Sequence, residues 1–201
     1  MSDSALAKSD RTLVRVGRRL LASTAVNLVA ANALASLVTY LLAVGIAVWH
    51  LVPALRRRSV ADGLMLMVVF HAFRHVAMQI FSASEIGGLD APDGALRTIA
   101  YGDLATATLA LVALWALRLR LSTALALTWL VAVGGTVDLV SATITGVSND
   151  LLDTASDFSW FILAFYVPFL WVTAVLLFWQ LISRRHEPLD ARQVATHQGE
   201  P

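Results

Sequence analysis

Residues 158–182 read FSWFILAFYVPFLWVTAVLLFWQLI, with no charged side chain anywhere in the stretch. At 1.5 Å per residue, a helix of about 20 residues crosses the roughly 30 Å of hydrocarbon in a bilayer. Backbone amides find no water there, so a spanning segment must satisfy them internally, and a continuous apolar run is read as a helix. A transmembrane β-barrel would instead show alternating segments of about ten residues, and the sequence has none.

Four further blocks of the same kind lie upstream. They cover about 25–52, closed by Pro53 and by Arg56, Arg57 and Arg58; 60–82; 98–117, followed by Arg118 and Arg120; and 121–145. Arg184 and Arg185 follow the fifth block, 158–182. The whole chain of 201 residues is 58% hydrophobic and 14% charged, where a soluble domain carries about a quarter charged residues. The expected fold is all-α: an integral membrane helical bundle of about five transmembrane helices over 25–182. A basic segment, 1–24, precedes it. A polar tail, 183–201, follows, and its composition predicts disorder. Within 12–21, Leu13, Val16, Leu20 and Leu21 share a helical face away from Arg15, Arg18 and Arg19, so an interfacial amphipathic helix is expected there. A signal peptide fits less well, because the apolar run that follows is too long. No internal repeat supports an inverted-repeat transporter.

The flanking charges give an orientation. Segment 83–97 holds Glu85, Asp90 and Asp93 against one Arg97, and segment 146–157 holds Asp150, Asp153 and Asp157 with no Lys or Arg. The arginine clusters lie at the opposite ends of the spans. Basic residues stay cytoplasmic, so the C-terminus is expected inside a cell (inner or plasma) membrane and the N-terminus outside. Lys8, Arg11, Arg15, Arg18 and Arg19 oppose that assignment, and a re-entrant or interfacial N-terminal helix would remove the conflict. Trp49, Trp160 and Trp179 fall near span ends, where amphipathic rings favour the interface.

Composition also excludes chemistry. The chain has no cysteine, which removes disulfides, thiolate zinc and iron–sulfur sites. Haem is disfavoured because His71 and His75 share one helix while His50 lies near the other end of the spans. No Gly-x-Ser-x-Gly supports a serine hydrolase. The net charge of +1, with no basic stripe interleaved with aromatics, gives no nucleic-acid signature.

The informative polar residues lie inside the spans. Residues 70–79 read FHAFRHVAMQ. On an α-helix His71, His75 and Gln79 form an i, i+4, i+8 stripe with Arg74 beside it. An arginine at this depth costs several kcal/mol or more, so it should face the bundle interior and pair with a carboxylate. Two carboxylates are available, Asp103 after Tyr101 and Gly102, and Asp138 after Gly134 and Gly135. Counted from the acidic segments, Arg74, Asp138 and Asp103 lie about eight, seven and five residues in, within roughly 5 Å in depth. Asn32, Ser36 and Tyr40 start a polar stripe at similar depth, and Tyr166 and Pro168 mark the fifth span. The other half of the membrane reads as nearly bare of polar groups.

Three readings follow. In the first, Arg74 and an aspartate join helices in a structural or partner-binding subunit. In the second, His71, Arg74, His75, Gln79, Tyr101, Asp103 and Asp138 build a pocket for a small-molecule or lipid-like ligand. Arg74 would then be the charged anchor for an anionic group, with Tyr101 and Gln79 orienting it. A metal on His71 and His75 is a weak variant, because Arg74 repels cations and no His-Glu-x-x-His is present. In the third, the histidines and aspartates relay protons in a transporter. Five helices are few for that, so a homo-oligomer would be required. The expected partners are the lipid bilayer, such a ligand and, for transport, further copies of the chain.

The strings Phe73-Arg74-His75, Ala100-Tyr101-Gly102-Asp103 and Gly135-Thr136-Val137-Asp138-Leu139 resemble a family of small bacterial polytopic membrane proteins with no assigned function. The resemblance covers most of 25–182 and implies the bundle fold, but no activity.

Overall fold

The computed structural model describes residues 30–79, 92–155 and 157–189. The helix expected at 12–21 falls outside the described residues, as do 80–82 of the second block, 83–91 of the acidic segment and 190–201 of the tail. Among the described residues, five helices are long and apolar enough to cross a membrane: α1 (Ala30–Arg57), α2 (Val60–Gln79), α3 (Asp93–Arg118), α4 (Ala124–Ser148) and α5 (Phe158–Ser183). The described residues include no strand, and the protein is all-α.

Two helices contain a Val–Pro step, and both deform there in the same way. Proline has no N–H to donate and its ring clashes with the carbonyl four residues back. The helix answers by widening one turn. In α1 the segment Ala47–Leu51 is π-helical and the Val52 N–H donates to the Ala47 carbonyl. In α5 the segment Ile162–Tyr166 is π-helical and the Val167 N–H donates to the Ile162 carbonyl. Single π turns of this kind recur at functional sites, and the one in α5 places Ile162, Leu163 and Tyr166 on the cavity described below.

α3 is central, with its most extensive contacts to α2 and then α4. Its buried face is a ridge of alanines, Ala107, Ala110, Ala113 and Ala116. Small residues let helix backbones approach closely where lipid supplies no hydrophobic drive between helices. At the arginine-rich end Ala110, Ala113 and Ala116 pack with Leu55, Leu64, Met67, Val68, Leu117, Val131 and Leu177 in one dense apolar core. α1 is the least buried span, and Leu34, Leu37, Leu41, Leu42 and Val48 lie exposed along it.

The arginine-rich end is tied by polar contacts. Ser59 caps α2: its Oγ accepts from the Asp62 N–H at 3.1 Å and donates to the Asp62 carboxylate at 2.6 Å, a reciprocal N-terminal cap. Arg184 is buried and its Nη1 donates to the Arg58 carbonyl at 3.1 Å and the Leu55 carbonyl at 3.4 Å, satisfying the end of α1. Its Nε and Nη2 donate to Glu187 at 2.9 and 2.7 Å. The start of the expected disordered tail is therefore ordered. Residues 184–189 fold back, and the Leu189 carbonyl accepts from the Ala61 N–H at 3.0 Å.

Candidate functional site

α2 changes pitch where the chemistry begins. It is α-helical from Val60 to Ala72 and 3-10 from Phe73 to Gln79. A 3-10 helix has three residues per turn, so residues three apart eclipse one another. His71, Arg74 and Ala77 accordingly all point inward and are buried. The i, i+4, i+8 stripe does not form. His75 is exposed, its Nδ1 lies 2.9 Å from the Ala72 carbonyl, and its ring tilts against Phe73. Gln79 is half-buried at the end of the segment. His71 and His75 face different sides and do not converge on one metal position.

Arg74 is engaged through all three of its nitrogens. Its Nε donates to Asp103 Oδ1 at 2.5 Å, its Nη2 to Asp138 Oδ2 at 2.7 Å, and its Nη1 to the Gly135 carbonyl at 2.8 Å. Both expected carboxylates are therefore its partners at once, and one guanidinium joins α2, α3 and α4. Thr106 Oγ1 donates to Asp138 Oδ2 at 3.3 Å and steadies it from α3. Charged pairs at this depth need such saturation of donors and acceptors to offset desolvation.

Two glycines make the approach possible. A Cβ on Gly102 would lie 1.9 Å from Asp138 Oδ1, so only glycine lets Asp138 cross to α3. A Cβ on Gly135 would lie 3.0 Å from Thr106 Cγ2 and 3.5 Å from Arg74 Nη1. His71 is packed against the same place, and both its ring nitrogens lack a hydrogen-bond partner among the described residues. Tyr101, next to Gly102, is exposed and turned away from the triad.

Beside the Arg74–Asp103 pair lies a cavity of ≈130 Å³ toward the acidic end of the bundle. Its walls are largely apolar, including Leu139, Val147, Ile162, Leu163 and Leu170, with Ser159, Thr143 and Tyr166 among them. The Tyr166 hydroxyl donates to the Phe70 carbonyl at 2.8 Å. Ser159 is buried, and its Oγ has no hydrogen-bond partner among the described residues. The cavity end is fastened by Asn32 of α1. Its Nδ2 donates to the Leu152 carbonyl at 2.5 Å and its Oδ1 accepts from Trp160 Nε1 at 2.6 Å.

Sequence reasoning expected a pocket at this depth but missed Ser159 and the apolar walls. It also missed Gln180, which is fully buried against Gly63 in the half that reads as bare. A glutamine in an apolar run was visible, but no partner was.

Five apolar helices and a charged cluster between them define a multi-pass membrane protein. More particularly, residues 31–182 match the family described as a domain of unknown function (DUF8737), and the chain belongs to that family. No curated protein and no solved structure matches it.

Proposed function

We propose that the protein is a membrane-embedded binding protein whose cavity takes a small or lipid-like amphiphile. The observation that carries this reading is the contact between an apolar cavity and a buried ion pair. Ligand sites are mostly apolar concavities with a few placed polar groups. The arginine clusters support a placement in a bacterial inner membrane with their end, and the C-terminus, cytoplasmic. The cavity then opens toward the outer half.

Native mass spectrometry of the gently purified protein tests the reading. A stoichiometric non-protein mass is expected on the wild type and lost from Ala142→Phe, which fills the cavity wall. A wild type bare of any added mass, and unchanged in stability on adding amphiphiles, would sink it. A second reading, a purely helix-joining cluster, is favoured by the bonding of all three Arg74 nitrogens to protein acceptors. It predicts that Ala142→Phe stabilises the protein and abolishes nothing.

A further inference from the structure

The accessible charge at the cluster is negative. Arg74 contributes one positive formal charge and Asp103 and Asp138 one negative charge each, which leaves one negative charge over. The Arg74 side chain is 0% exposed, whereas those of Asp103 and Asp138 retain 13% and 17%. Each guanidinium nitrogen already donates to a protein acceptor. Three of the five guanidinium N–H groups are thus committed to protein acceptors, and of the two partners lining the cavity, Arg74 and Asp103, the carboxylate is the more exposed.

The remaining polar groups on the wall are oxygens with acceptor capacity. Tyr166 spends its proton on Phe70 and Thr143 spends its own on the Leu139 carbonyl, so each keeps an oxygen lone pair. Ser159, 2% exposed and unpartnered among the described residues, adds a third hydroxyl. Among the described residues, no lysine, histidine or second arginine lines the cavity. An inorganic cation such as Ca²⁺ or Mg²⁺ asks for about six oxygens and would leave the apolar walls unused. A cavity near 150 Å³ accommodates a benzene-sized body.

We infer that the cavity selects a small amphiphile with a protonated amine as its polar end, set against Asp103 with Ser159 as a further acceptor, and an apolar body along Leu139, Ile162 and Leu170. This rests on the binding reading above and assigns the ligand class. It replaces the expectation of an anionic group held by Arg74.

The test uses three matched probes, benzylammonium, benzyl alcohol and benzoate, in equilibrium dialysis against full-length protein in zwitterionic nanodiscs, with empty nanodiscs as the blank. Benzylammonium should bind at least about tenfold more tightly than the alcohol, as a charge-assisted hydrogen bond implies, and benzoate should bind least. Asp103→Asn should erase the difference between amine and alcohol. Ser159→Ala, which removes only a hydroxyl, should weaken the amine a fewfold and keeps the test open if Asp103→Asn does not fold. Alcohol or benzoate binding as tightly as the amine, with all binding lost in Ala142→Phe, would overturn the amine assignment and leave the pocket standing. No binding by any probe would overturn both.

Discussion

Two buried arginines divide the molecule. Arg184 lies at the end of α5 and Arg74 in the interior of α2, and both are almost completely covered. Arg184 finds its partners at helix ends: carbonyls that α1 leaves unsatisfied, and Glu187 three residues on. Arg74 finds none within its own helix. Its partners come from α3 and α4, at sequence separations of 29, 61 and 64 residues. A charge at a helix end is an ordinary cap, with water within reach. A charge in mid-span requires three helices, two carboxylates and two glycines to be arranged around it.

That contrast breaks most directly by removing each arginine. Arg74→Met would leave two carboxylates in the bundle without their cation, and should cost about 3–5 kcal/mol. Arg184→Met should cost less, about 1.5–3 kcal/mol, the range for hydrogen bonds to a charged group. Unfolding in matched nanodiscs reads both, and equal losses would erase the distinction. Adding Asp103→Asn to Arg74→Met should recover part of the loss, because the two residues are coupled.

The glycines sharpen the comparison at smaller scale. Gly102→Ala forces a methyl into Asp138 Oδ1, and should destabilise by about 1–3 kcal/mol as overpacking does. Gly134, beside the triad but facing outward, has nothing within 4 Å of an added Cβ. Gly134→Ala should be neutral or stabilise by up to about 1 kcal/mol through helix propensity. The same thermal unfolding curves decide it. A Gly102→Ala protein as stable as wild type would mean that Asp138 does not need to reach across.

Much of this was legible in the sequence, for physical reasons. Span length follows from bilayer thickness, so the five helices could be read from apolar run lengths alone. The partners of Arg74 were legible by depth, because rise per residue converts position into height and only Asp103 and Asp138 matched. The rest depended on quantities that a single helix does not encode. The inward direction of Arg74 was expected, but the outward direction of His75 depends on the 3-10 pitch of Phe73–Gln79, which an α-helical period does not give. The role of Gly102 depends on how close α4 comes. The cavity is a void between α2, α3, α4 and α5, and no residue names a void. Leu189 looked like tail until its carbonyl was seen on the Ala61 N–H.

The smallest expected effect is the sharpest test of that pitch. With three residues per turn, His75 lies outside the bundle, and His75→Ala should change stability by less than about 0.5 kcal/mol, as exposed substitutions do. If the α-helix continued to Gln79, His75 would share the inward face of His71, and its truncation would remove buried packing and cost well over 1 kcal/mol. The chain has no cysteine, so single cysteines give an independent reading without background. A membrane-permeant thiol reagent should modify a His75→Cys protein readily and a His71→Cys protein slowly. Equal protection at both positions would restore the continuous α-helical stripe, place His75 beside Arg74, and return a second imidazole to the interior of the site.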